Sequence, residues 1–125
     1  MSRAEQTQIF IELDEWQQKL LSRSELRFLR FPLNYLIRVP RIGERIGYIG
    51  SNRTPLQSAT VLDIAYQKLG DRAGLFGLDG FDFMCAEVGV DSPPYTEIWN
   101  KRFPKYPYET LPETIVLKMD ERLVI

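Results

Sequence analysis

At 125 residues, with 44% hydrophobic, 12% aromatic and 26% charged side chains, the chain can bury a real core and is too apolar to be wholly disordered. Its formal net charge of −1 excludes a global field drawing it to nucleic acid or to a membrane surface. With no histidine and a single cysteine, Cys85, it has no Ser-His or Cys-His pairing, no thiolate zinc site and no internal disulfide, so a reducing, cytoplasmic setting is expected.

Residues 1–6 are polar and read as a disordered N-terminus, with 7–125 forming a single globular domain. No signal peptide is expected, and no apolar run approaches the roughly 20 residues that span a bilayer. Gln8 to Leu13 is dense in β-branched and aromatic residues, which favours a short strand. A helix from Glu15 to Ser22 follows, with Asp14 as its cap. A single helix from Ala4 to Ser22 competes, because Ile9, Leu13, Trp16 and Leu20 also recur at helical spacing.

Pro32 stops any helix running through the next stretch. Leu33, Tyr35, Ile37 and Val39 then alternate with Asn34, Leu36 and Arg38, which predicts a partly buried strand leading into Pro40. Pro40 and Gly43 make a corner, and a strand is expected from Ile42 to Ile49. Gly50 to Pro55 is a polar loop. Ala59 to Gln67 is read as a strand pairing with 42–49. A helix is the alternative there, since Thr54-Pro55 and Gly70 are good helix punctuation.

Asp71 to Gly80 is a glycine-rich loop that tucks Leu75, Phe76 and Leu78 down. A strand is expected over Phe81 to Val90, a short helix over Tyr95 to Phe103 and a last strand over Thr114 to Met119. The apolar end, Leu123-Val124-Ile125, is expected to tuck into a sheet or a subunit contact. The fold class is therefore α+β, mainly β: a small β-barrel or a curved antiparallel sheet with one or two short helices. The order strand, Pro-Arg-Ile-Gly-Glu corner, strand, then Val61-Leu62-Asp63-Ile64 and Phe83-Met84-Cys85-Ala86, resembles small SH3-like β-barrel modules over Ile37 to Val90. No functional residue is carried over from that resemblance.

Charge is uneven. From Gln17 to Arg53 the chain carries eight basic residues against two acidic, and from Thr54 to Ile98 two basic against seven acidic. Such a layout suits self-association or a mixed-charge partner, unless the two blocks neutralise each other in space. The glycines Gly74, Gly77 and Gly80 lack the spacing and the Lys-Ser/Thr of a phosphate loop. A divalent-metal site, and with it a carboxylate enzyme as a third alternative, could be drawn from Asp79, Asp82, Glu87 and Asp91, but they lack the alternate-position spacing of an EF-hand calcium loop. They read as solvated acids, and Cys85, between Met84 and Ala86, reads as a small buried hydrophobe. No catalytic residue, metal or cofactor is expected.

The stronger signals concern binding. Tyr95, Trp99, Lys101, Arg102, Phe103, Lys105, Tyr106 and Tyr108 interleave rings with cations, a set that can stack bases, anchor a protein interface or cover the core. In the series Arg27, Arg30, Arg38, Arg41, Arg45 and Arg53, of which the last four are taken as the candidate site, arginine suits bidentate work on phosphate or carboxylate, or a charged edge that blocks sheet pairing. The function expected first is a non-enzymatic interaction protein (an inhibitor, immunity-type or assembly accessory protein) that binds another protein and forms a homo-oligomer. The alternative is a binding module for nucleic acid or a small phosphorylated nucleotide, with the same arginines and rings as its site.

Overall fold

The computed structural model describes residues 8–23, 27–83, 95–121 and 123–124. Its first strand, β1 (Phe10–Glu12), alternates exposed, buried, exposed, and Asp14 then starts helix α1 (Glu15–Arg23). The start is a reciprocal capping box. The Gln17 N–H donates to Asp14 Oδ1 at 2.7 Å, and the Asp14 N–H donates back to Gln17 Oε1 at 3.2 Å. The strand-then-helix reading therefore holds against the single long helix.

Strand β2 (Phe28–Pro32) is buried at every position. It gives way to turns over 33–39, where a further strand was expected. The reason is the want of a partner. The sheet neighbour of β2 runs out as the Leu33 N–H donates to the Glu113 carbonyl, and an alternating pattern with nothing to pair with cannot stay extended. Ile37 is consequently 75% exposed, while Leu36 plugs into the core and the Tyr35 ring stacks on Phe31 and meets Phe103 edge-on.

The corner expected at Pro40 and Gly43 is present. Gly43 adopts φ +89°, and the Glu44 N–H closes the turn onto the Arg41 carbonyl. Because of this turn, β3 (Arg45–Ile49) starts three residues later than Ile42. Strand β4 (Pro55–Lys68) contains the whole of the strand expected at 59–67 and pairs antiparallel with β3 as expected. Helix α2 (Tyr95–Arg102) and strand β5 (Glu113–Met119) also lie where the sequence put them.

The sheet is mixed, in the order β1-β3-β4-β5-β2, with β1 parallel to β3 and every other pair antiparallel. It curls into a half-barrel. β4 makes the curl: its first half pairs with β3 and its second with β5, with a bulge between Val61 and Asp63. Ala59 and Val61 face the core before the bulge. Afterwards the alternation is shifted by one, so that Ile64, not Asp63, packs inward.

The two faces are covered unequally. The concave face holds the main core, including Ile46, Tyr48, Val61, Leu117, Trp99 and Phe103. On the convex face, the β2–β5 half is covered by the segment 71–83, whose Leu75, Phe76, Leu78 and Phe83 pack on Phe28 and Val116. The tuck expected of this segment is therefore present. A polar brace ties it down: buried Arg30 donates to Thr114 Oγ1 and Gln67 Oε1, and Gln67 Nε2 donates to the Ala73 carbonyl. Residues 80–83 are helical, not the start of a strand, and the rest of the strand expected to Val90 lies outside the described residues. That turn of helix, and the missing strand at 37–39, also set the chain apart from an SH3-like order. At the C-terminus Leu123 is buried, its N–H donating to the Leu21 carbonyl, while Val124 is exposed.

Leu117 is fully buried beneath this curl, so Leu117→Ala should cost about 3 kcal/mol in chemical denaturation. Ile37→Ser, on the exposed turn, should change stability by less than about 0.5 kcal/mol in the same measurement.

Candidate nucleic-acid interface

The residues expected to bind fall into separate groups. Trp99 and Phe103 are 2% and 3% exposed and belong to the core. Trp99 Nε1 donates to the Tyr106 carbonyl at 2.6 Å, which wraps the proline-rich loop back over α2. Tyr95 is half-buried, stacked on Trp99 and edge-on to Tyr108, and Tyr106 also packs against the core. These rings are spent on packing and do not form a row of open platforms. Their spacing already carried the cue, because Tyr95, Trp99 and Phe103 recur every fourth residue and so line one helix face.

Of the cations in that set, Lys101 and Lys105 are exposed. Arg102 is committed to α1: its Nε donates to Asp14 Oδ2 at 2.8 Å. Partial burial pushes the Asp14 carboxyl up, but Arg102 and the Gln17 N–H together outweigh it and hold Asp14 below the usual carboxylate range.

Arg38 is likewise occupied. Its guanidinium forms a two-pronged pair with Glu44, Nη1 donating to Oε1 at 2.8 Å and Nη2 to Oε2, and the Arg41 N–H donates to the same carboxylate. This clasp holds the 38–44 corner and leaves the Arg41 side chain exposed. Arg45 lies across β3 onto β4, donating to Ser58 Oγ, the Ser58 carbonyl and Thr60 Oγ1, with Glu121 at 3.9 Å. That ion pair is long and half-exposed on both sides, so it contributes little. Arg53 is exposed and stands in the turn Ser51–Arg53 with φ +60°, directly after Asn52 at φ 58°. An arginine in the left-handed region is strained, and such strain persists where the surroundings hold it.

Two grooves lie against the turn at residues 51–53. The larger, about 880 Å³, runs between the start of α1 and the end of α2 and takes in Tyr35, Lys19, Lys101 and Arg102. Its walls also carry Glu12, Asp14, Glu15 and Glu97, so carboxylates outnumber cations and a polyanion is disfavoured. The smaller, about 390 Å³, lies on the open half of the convex face and is lined by Gln8, Phe10, Arg53, Leu56, Gln57 and Ser58 among others, with no carboxylate among the described lining residues. Arg45 adjoins it through Ser58. This face gathers Arg45 and Arg53 from the expected set, and Phe10, which sequence reasoning placed in a strand without a role. Among the described residues, no group of three or more His, Cys, Asp or Glu side chains could hold a metal, and Cys85, Glu87 and Asp91 lie outside those residues. No helix among the described residues is long and apolar enough to cross a membrane.

No protein-family model matches the chain, and no curated protein matches it. Solved structures do. ZmASCH from Zymomonas mobilis superposes with a TM-score of 0.51 at 12% identity, covering 93% of this chain and 68% of that one. Two variants of the same protein give TM-scores of 0.55 and 0.52 at 11% and 12% identity, each covering 93% of this chain and 69% and 70% of theirs. The fold is ASCH-like. At such identity the likeness concerns the backbone arrangement and transfers no residue's role.

The clasp at 38–44 makes a pH prediction. The Arg38 guanidinium, against the opposing cost of partial burial and with help from the Arg41 N–H, holds the Glu44 carboxyl below the usual glutamate range. An unfolded glutamate titrates near about 4.3. The clasp's contribution is therefore complete above about pH 5 and lost as pH falls through the depressed folded value. Thermal midpoints followed from pH 6 to pH 2 should fall more steeply for the wild type than for Glu44→Gln. Separately, Arg53→Gly should relieve up to about 1 kcal/mol of backbone strain and keep or raise the melting midpoint, whereas Arg53→Ala should not.

Proposed function

We propose that the chain is a non-catalytic binding module for nucleic acid or a small phosphorylated nucleotide, engaged through the open half of the sheet's convex face. The observation that carries this reading is the groove where Arg53 and Phe10 stand together and Arg45 adjoins across Ser58, with no carboxylate among its described lining residues. Arginine presents a planar fork of donors that matches phosphate oxygens, and the hydrogen bonds to Ser58 and Thr60 already hold that of Arg45 in place. An ASCH-like fold is loosely consistent with nucleic-acid binding and lends the reading further support. The whole-chain charge of −1 implies weak, local binding in place of long-range capture.

Titration of labelled oligonucleotides by fluorescence anisotropy, at about 50 mM to about 200 mM salt, tests it. Binding should weaken steeply with salt. Arg45→Ala and Arg53→Ala should each weaken it and each reduce the log–log salt slope by up to about one. No binding to any oligonucleotide or nucleotide at low salt would refute the proposal.

A second reading rests on a different observation. The 33–42 turn region displays Tyr35, Ile37, Val39 and Ile42 to solvent, a run of apolar side chains beside the Arg38–Glu44 clasp. It is the surface on which a second copy of the chain would dock, as expected of a homo-oligomer. Sedimentation velocity should then show an oligomer that Ile37→Asp dissociates, and a monomer at every concentration would dismiss the idea.

A further inference from the structure

Gly47 lies inside β3 with ordinary extended backbone, so conformational freedom does not explain it. What matters is the missing Cβ. A Cβ built on Gly47 would meet Cδ1 and Cε1 of the Phe10 ring, each at 2.7 Å. Phe10 is the β1 partner of Gly47, and Ser58 is its β4 partner, so the three form one row across the sheet. The ring crosses directly over the bare glycine.

Covering a strand glycine with a neighbouring aromatic stabilises a sheet in its own right. Cover alone would favour a sunken ring, yet Phe10 remains 52% exposed. One side of the ring rests on the glycine, and much of its surface stays open to the groove. The Gln8 amide lies beside it, its Nε2 at 3.4 Å from the same built Cβ, and Arg53 closes the groove. The groove's volume of about 390 Å³ falls in the usual range for a small bound group.

We propose that Phe10, laid across Gly47, is a stacking platform for an unpaired base, with Arg53 on an adjacent phosphate, so that this face selects single strands over duplexes. The proposal rests on the nucleic-acid reading above and names its substrate class. An open ring accepts the π-face of any base. A base inside a duplex has both faces covered by its neighbours and cannot reach the ring. The Gln8 amide supplies a donor and an acceptor at the rim for a base edge. No described lining residue is a carboxylate, so an adjoining phosphate at Arg53 meets little opposing charge.

The test compares single-stranded oligonucleotides of about 12 nucleotides, RNA and DNA, with their duplexes at about 50 mM salt. Single strands should bind at least about tenfold tighter than duplexes. Phe10→Ala should lose about tenfold of the single-strand affinity, Phe10→Trp should retain it, and none of these variants should alter the salt slope, because no charge is removed. Gly47→Ala is the decisive variant. It keeps the ring but forces it off the glycine, and because the ring is a movable side chain the fold survives, as circular dichroism on the same sample should confirm. It should behave as Phe10→Ala does. Single-strand binding that ignores both Phe10→Ala and Gly47→Ala, or duplexes bound equally well, would overturn the platform while leaving nucleic-acid binding intact. A protein that binds no nucleic acid at all would instead remove the reading on which the platform stands.

Discussion

The bulge in β4 is the constraint on which the rest of the architecture depends. A strand of 14 residues that kept a strict alternation would turn Asp63 into the core and Ile64 outward. The extra residue between Val61 and Asp63 corrects the phase and bends the strand at once. One half of β4 can then belong to β3 and the other to β5, and the sheet curls around Ile46, Val61 and Leu117. The join is reinforced where the strands diverge: the Thr60 N–H donates to Asp120 Oδ1, and the Asp120 N–H donates back to the Thr60 carbonyl.

The same bend divides the convex face. Beyond the bulge, the sheet is roofed by the segment 71–83 and braced by Arg30, Gln67 and Thr114. Before it, the sheet presents Phe10 and Arg45 to solvent, and Leu62 is exposed at the bulge itself. Burial of Arg30 is made tolerable by its hydrogen bonds to Gln67 and Thr114 and by the Phe83 ring beneath its guanidinium, at 5.6 Å. Arg45, of the same residue type, sits on the roofless half and lies across hydroxyls. For these two sheet arginines, brace or candidate ligand contact follows from which side of the bulge each occupies.

Much of the fold was legible because its cues are local. Asp14 and Gln17 stand at capping-box spacing, residues 114–119 are dense in β-branched and apolar side chains, and at 59–67 the alternation and β-branched residues outweighed the helix punctuation of Pro55 and Gly70. The stretch 33–39 misled because alternation marks a strand only where a partner exists, and here both β2 and β5 have ended. The candidate site was legible in part. Arg45 and Arg53 could be picked by residue type, but Arg38 and Arg102 carry the same type and are taken by Glu44 and Asp14. The rings of 95–108 were read for their composition, while their fourfold spacing, which marks a buried helix face, was the better guide.

The sequence by itself determined most of the elements, the small α+β fold and the lack of any histidine-based chemistry, since propensity, capping and composition act over a few residues. Only the tertiary structure decided which aromatics stay open, Phe10 among them with Tyr35, Tyr66 and Phe81. What sets Phe10 apart is its seat over Gly47, and the two meet through the hydrogen-bond register of a parallel strand pair between segments distant in the chain. A register of that kind is set by burying Ile9, Ile11 and Ile46 together, and no pattern within either strand records it.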